Sequence, residues 1–211
     1  MISEKYKFIY IHIPKTGGNS IQKVLSKYSE DKVLWRESIG NVKTKDNKQG
    51  LDVFNKKLRI HNKHARIYDY YRKLGNKIHD YFIFASIRNP WDRVVSCTYF
   101  NKEENKKFKS RLKSLLKFMV GKEDKNFSYL TPMTNYVTIN GRIEVDFFIR
   151  FENLQKDLDK VCDRLGIPKE KLPHKNQSFH KHYTEYYDER SQKKVAEKYK
   201  KDIKNFNYEF K

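Results

Sequence analysis

Long apolar runs are missing from this chain. None of its 211 residues belong to a stretch of membrane-spanning length, and Met1-Ile2-Ser3-Glu4-Lys5-Tyr6 lacks the apolar core of a secretion signal. Neither a spanning helix nor a leader is expected. Cysteine is scarce: Cys97 and Cys162, both on segments expected to be helical, spell no metal or redox motif. Repeats and linkers are absent too, which argues for one domain, 1–211, long enough for a single sizeable core. Acids are outnumbered, with 26 Asp and Glu against 46 Lys and Arg and a net charge of +20. Charge alone admits a nucleic-acid partner, but no nucleic-acid motif accompanies it. Two readings of the excess stand: a basic face that attracts anionic ligands, or a lysine-biased composition spread over exposed helix faces. At 37% hydrophobic and 15% aromatic residues the chain is globular despite its charge.

What is present is an alternation of strands and helices. Phe8–Ile13, Tyr81–Ile87 and Phe147–Phe151 are short and nearly continuously apolar, as strands buried on both faces are. A helix is expected from about Asn19, carrying Ile21, Val24 and Leu25. Another carries Ile67, Tyr70, Tyr71 and Leu74 and stops at Gly75. Pro90 suits the first position of a third. Asn153 can cap a fourth, whose Leu154, Leu158, Val161 and Leu165 form one stripe before Gly166 and Pro168. In the basic stretch 102–125, Phe108, Leu112, Leu115, Leu116 and Met119 recur at helical spacing, which reads as an amphipathic surface helix. From about Asp188 the chain reads as charged helix. The alternation predicts an α/β fold, P-loop-like, with a central parallel β-sheet flanked by helices and ligand loops at the carboxyl ends of its strands.

Two of those strand ends carry chemistry. Pro14-Lys15-Thr16-Gly17-Gly18-Asn19-Ser20 follows the first run. A strand that ends in a glycine loop and opens a helix cradles anions, because N–H groups point outward and the helix dipole favours negative charge. Arg88-Asn89-Pro90-Trp91-Asp92-Arg93-Val94-Val95-Ser96 follows the second run. There Arg88 can pair bidentately with a phosphate and Ser96 can add a hydroxyl across the turn at Pro90. Two grips suggest a ligand with phosphates at two places. In the nucleotide P-loop the lysine follows the glycines; here Lys15 precedes them. An ordinary tight turn is the competing reading of the first loop, and the second motif weighs against it.

Lys15-Thr16-Gly17-Gly18 with Arg88–Ser96 resembles the sulfotransferases that depend on 3'-phosphoadenosine-5'-phosphosulfate (PAPS). More narrowly it is similar to the carbohydrate sulfotransferases related to heparan sulfate 2-O-sulfotransferase and its bacterial relatives. The resemblance continues at Lys63-His64-Ala65, Phe151-Glu152-Asn153-Leu154, Leu172–Ser178, Asp202-Ile203 and Tyr208-Glu209-Phe210. The stretch 33–59 carries no such landmark. What the resemblance implies is transfer of a sulfuryl group from PAPS to an acceptor hydroxyl, leaving adenosine 3',5'-bisphosphate, with no metal required. Such a transfer needs charge stabilisation on the departing phosphate and a base for the acceptor's proton.

By that resemblance Lys15 reaches the oxygen bridging phosphorus and sulfur. The N–H groups of Thr16, Gly17, Gly18, Asn19 and Ser20 hold the 5'-phosphate, with the Thr16 and Ser20 hydroxyls as further donors and the glycines allowing close approach. Arg88 and Ser96 hold the 3'-phosphate. The loop Leu172–Ser178 closes over the donor, with Ser178 near the nucleotide. His64 matches the family's base, and a neutral imidazole suits proton abstraction near pH 7; His61 is the second candidate. His12 is expected in the core and Trp91 in packing. Arg93 either pairs with an acid or reaches the phosphate. Glu152 either orients a catalytic group or pairs locally.

The acceptor expected by resemblance is an oligosaccharide or polysaccharide, met by residues within 33–59 and 102–138. Golgi-type relatives carry a membrane anchor; without one, a cytoplasmic protein or an excised domain is expected. Two other classes compete: a P-loop-like kinase, and a non-catalytic binder of nucleic acid or acidic glycan. The lysine's place before the glycines, and the lack of a clear metal-binding aspartate near the loop, speak against the kinase. The binder needs neither phosphate motif.

Overall fold

Alternate residues of a strand face opposite ways, and here helices cover both directions. The computed structural model describes residues 1–30, 63–98, 130–173 and 181–211. Its strands are β1 (Ile2–Ser3), β2 (Phe8–Ile11), β3 (Phe82–Ile87), β4 (Thr138–Ile139), β5 (Arg142–Ile143) and β6 (Phe147–Arg150). Its helices are α1 (Gly18–Leu25), α2 (Ile67–Leu74), α3 (Pro90–Thr98), α4 (Thr134–Val137), α5 (Leu154–Leu165), α6 (Glu189–Lys198) and α7 (Lys200–Phe206). The amphipathic stretch 102–125 and the segment 33–59 lie outside the described residues.

The main sheet runs in the order β1-β2-β3-β6. β2 and β3 are parallel, with Phe8 opposite Phe82 and Ile11 opposite Ala85. β3 and β6 are parallel, with Phe84 opposite Phe147 and Ile87 opposite Arg150. This is the α/β architecture the alternation predicts, with one addition. β1 pairs antiparallel on the edge of β2, joining Ile2 to Ile9 and Ser3 to Phe8. Two residues carry too little periodicity to announce a strand.

Ile9, Ile11, Ile83, Ala85 and Ile87 pack on one side against Ile67 and Tyr70 of α2 and Met133, Tyr136 and Phe206. Phe8, Tyr10, Phe84 and Ile149 pack on the other against Ile21, Val24 and Leu25 of α1 and Leu158, Val161 and Cys162 of α5. Burial on both faces is why the runs read as continuous apolar stretches instead of alternating ones. β2 is shorter than its apolar run because Pro14 offers no N–H and restrains the residue before it. His12 and Ile13 thus leave the ladder while remaining buried.

Local signals set several ends. Pro90 opens α3. Gly166, at φ 63°, ends α5, and its N–H reaches the Cys162 and Asp163 carbonyls. Asn153 stands at the cap position of α5 but makes no side-chain capping bond. Asn140 (φ 51°) and Gly141 (φ 80°) form the two-residue turn of the β4–β5 hairpin. The charged C-terminal helix is broken at Tyr199, whose hydroxyl donates to the Leu130 carbonyl at 2.9 Å. Just beyond, the fully buried Asp202 carboxylate accepts from the N–H groups of Met133 and Thr134, each at 2.8 Å, and from the Thr134 hydroxyl at 2.7 Å. A buried carboxylate needs such partners, and this one fastens α7 to the start of α4.

Candidate functional site

β2 and β3 are neighbours and parallel, so their carboxyl ends bring the loops 12–17 and 88–89 side by side. After Ile11 the chain turns through left-handed backbone at Lys15 (φ 69°) and Gly17 (φ 82°) and enters α1. Gly17 is the cap residue and supplies no side-chain capping bond, and the first turn of α1 carries no acid. The Ser20 N–H turns back to the Gly17 carbonyl at 3.1 Å. An uncapped, acid-free helix start suits an anion.

The two glycines have different reasons. At Gly17 the positive φ requires glycine, and a Cβ there would come within 3.0 Å of Leu154. At Gly18 a Cβ would lie 2.2 Å from Cδ2 of His12. Gly18 makes room for a buried imidazole as well as for any ligand.

The loop is fastened from below. The Thr16 hydroxyl, expected to face the phosphate, is fully buried; it donates to the Ile13 carbonyl at 2.8 Å and lies 2.6 Å from the Ser86 hydroxyl. Ser86 in turn meets the Tyr10 hydroxyl at 2.7 Å. The Thr16 hydroxyl therefore turns into the protein, away from the expected phosphate. The Ser20 hydroxyl likewise donates to the Pro173 carbonyl at 2.9 Å, drawing the start of the late loop onto α1. Ser178 and the rest of that loop lie outside the described residues, as does His61.

Lys15 is half-buried, and burial is the main reason its ammonium is pushed down to about 8. Arg88 and Arg93 push the same way, while Cys97 on α3 opposes them. The Cys97 thiol is itself pushed up by burial, against the pull of these three cations. Lys63 adds another cation: its Nζ donates to Asn19 Oδ1 at 2.8 Å, on the first turn of α1. In the sequence, Lys63 directly precedes His64, and that adjacency is the signal for a further cation beside the loop.

Arg88 joins the two motifs. Its Nη1 donates to the Lys15 carbonyl at 3.2 Å, and its guanidinium lies 3.8 Å from the Phe151 ring centroid. Its Nε and Nη2, however, pair with both oxygens of Asp92, at 2.7 and 3.0 Å. That forked edge was expected to hold a phosphate. A buried guanidinium needs a counter-charge, and Asp92 one helical turn on supplies it, a spacing the sequence displayed. Three of its five N–H donors are engaged in this way. Ser96 lies on α3 two turns from Arg88 and is buried.

The structural candidates sort cleanly. Arg93 is buried and donates to the carbonyls of Pro14 and Thr131, both at 2.9 Å, so it braces the loop. Trp91 packs, with Phe210 at 5.5 Å and Nε1 donating to the Gln192 carbonyl. Glu152 pairs with residues distant in the chain, accepting from the Asn89 N–H at 2.8 Å and from the Tyr208 hydroxyl at 3.2 Å.

His64 docks on the same loop. Its Nδ1 lies 3.0 Å from the His12 carbonyl, and its ring meets the His12 ring edge-on at 4.8 Å. A carbonyl only accepts, so Nδ1 carries the proton and Nε2 the lone pair. Burial holds the imidazole below its ordinary value, with Lys63 and Arg93 adding to the effect and the His12 carbonyl opposing it. His12 is held lower still, mainly by burial. His79 and His182 are exposed.

Among the described residues no three His, Cys, Asp or Glu side chains gather as a metal site, and no helix is long and apolar enough to cross a membrane. No solved structure matches the chain. An uncharacterized protein of Archaeoglobus fulgidus is 35% identical over 100 residues, which cover 46% of this chain and 79% of that relative. The model of the Sulfotransferase family matches residues 1–209. With that match spanning nearly all of a chain whose lysine loop and arginine turn meet at adjacent strand ends, the protein belongs to the sulfotransferase family.

Proposed function

We propose that this sulfotransferase takes its sulfuryl group from PAPS and delivers it in line to a hydroxyl of an oligosaccharide or polysaccharide, with residues 1–211 acting as one catalytic domain. The observation that carries the reading is the 3.2 Å bond from Arg88 to the Lys15 carbonyl, which joins two phosphate-seeking motifs into one site. The N–H groups of the loop from Thr16 to Ser20 hold the 5'-phosphate. Arg88, Ser96 and Ser178 serve the rest of the nucleotide, with Arg88 using the donors that Asp92 and Lys15 leave.

Lys15 faces the phosphate oxygen that gains charge as the sulfur–oxygen bond breaks, and stabilises it. With an ammonium near 8 it is mostly protonated at neutral pH and also poised to give up its proton. His64 accepts the acceptor's proton at Nε2 while Nδ1–H stays on the His12 carbonyl. That division of labour is general base catalysis by a neutral, oriented imidazole.

Two measurements test the reading. The protein should bind immobilised adenosine 3',5'-bisphosphate in preference to ATP, and it should transfer labelled sulfate from PAPS to a member of a glycan panel. Preference for ATP, or transfer to no glycan in the panel, overturns the corresponding part.

A further inference from the structure

The base and the donor loop are separated in sequence by more than 40 residues, yet one side chain touches both. His12 lies just past the end of β2, buried. Its carbonyl receives the His64 Nδ1–H at 3.0 Å. Its ring meets His64 at 4.8 Å and lies nearly parallel to the Tyr10 ring at 6.0 Å. On another side, a methyl group at Gly18 would fall 2.2 Å from its Cδ2 and 2.3 Å from its Nε2. Nδ1 of His12 has no hydrogen-bond partner, so contact with its neighbours locates that edge of the ring.

We propose that His12 is a positioning residue for His64: its ring, wedged against Gly18 and Tyr10, pins the carbonyl that orients the base and so ties the base to the donor loop. This rests on the reading in which His64 takes the acceptor's proton. An orienting acceptor on the far nitrogen is what a catalytic imidazole needs to keep its lone pair aimed. Here that acceptor is backbone, and its own side chain, packed against Gly18 and Tyr10 and hydrogen-bonded to Gln22, helps hold it in register. Among the described residues, the groups that shift the His64 ring include His12, Lys63 and Arg93. The two cations remain in any His12 variant, whereas the ring wall that excludes water is lost in His12→Ala and kept in His12→Phe.

The test is nitrogen NMR of the His64 ring in the full-length protein without donor, with His64→Gln used to assign its signals. Wild type should show the Nδ1–H tautomer and a pKa below 6.5, as burial requires. His12→Ala should lower the population of that tautomer and raise the pKa toward the ordinary value, and His12→Phe should restore both. A folded His12→Ala with an unchanged tautomer and pKa, or a folded His12→Phe as altered as the alanine variant, overturns the proposal. Should the alanine variant fail to fold, Gly18→Ala decides, because the added methyl lands on His12: His64 signals that stay put overturn the proposal, and displaced ones support it. With PAPS and an acceptor, His12→Ala should lose roughly 10- to 100-fold in kcat with the donor KM retained; a loss in KM alone counts against positioning. A wild-type protein that transfers no sulfate defeats the functional reading, while the NMR result still decides the tie between His12 and His64.

Discussion

The loop after β2 and the turn after β3 occupy equivalent places, yet they are wired differently. Around the loop the cation is half-buried and pushed down to about 8, the helix start is uncapped, and a neutral imidazole is docked on the backbone. In the turn Arg88 is buried, forked onto Asp92, and stacked near Phe151. Asn89 closes that turn, accepting from the Trp91 N–H through Oδ1 at 3.1 Å and donating to the Glu209 carbonyl at 2.8 Å. The first region holds a lysine and a histidine that burial shifts toward their neutral forms; the second pairs its charge with Asp92.

The sharpest way to break this contrast is at the base. His64→Ala should lose roughly 10²–10⁴ in kcat with donor affinity almost unchanged, and the acid limb of the kcat/KM profile should vanish. In wild type that limb lies below pH 6.5, because burial lowers the imidazole and protonation below its pKa removes the acceptor lone pair. If His61→Ala erases the limb and the rate while His64→Ala keeps both, the base is His61.

Next in size, Lys15→Ala should cost on the order of 10²–10³ in kcat and much less in donor binding. The wild-type kcat/KM should fall on the alkaline side as pH rises through about 8, where the free enzyme's ammonium loses its proton. In Lys15→Arg that limb should move out of range, since a guanidinium does not titrate there. A folded Lys15→Ala protein with wild-type turnover would remove the lysine from the chemistry.

The turn should respond in binding instead of turnover. Arg88→Ala should weaken a 3'-phosphorylated nucleotide by about 1.5–3 kcal/mol, the range for a charged hydrogen bond, and barely affect one without the 3'-phosphate. Calorimetry on both ligands checks it, and equal losses would show that Arg88 only braces the Lys15 loop. The last effect is on stability: Asp92→Asn should lower it by about 1–3 kcal/mol, because the buried guanidinium loses its counter-charge and one acceptor oxygen becomes a donor. Denaturant titration measures that loss. An unchanged stability would mean that the Arg88–Asp92 fork is not what holds the turn.

Much of this was readable along the chain because its causes are local. Residues 8–11, 82–87 and 147–150 announce buried strands by composition, Pro90 opens a helix, and Gly166 closes one. Asn140-Gly141 is equally legible as a two-residue hairpin turn, because both residues tolerate positive φ. β1 was not readable, because two residues become a strand only when an edge is offered to them. Nor was the break at Tyr199, where the hydroxyl and Asp202 reach across to residues 130–134.

By itself, the sequence determined the three parallel strands, most helix starts and stops, and the two motifs at strand ends, since periodicity, proline, glycine and charge act over a few residues. Only the tertiary structure decided what each side chain does there. It turned the Thr16 hydroxyl inward to Ser86, assigned the forked edge of Arg88 to Asp92, gave Gly18 its close neighbour in His12, and set His64 on the His12 carbonyl. The physical reason is that hydrogen-bond partners and burial depend on distances between residues far apart in the chain. A buried donor or charge takes the partner that packing brings within reach.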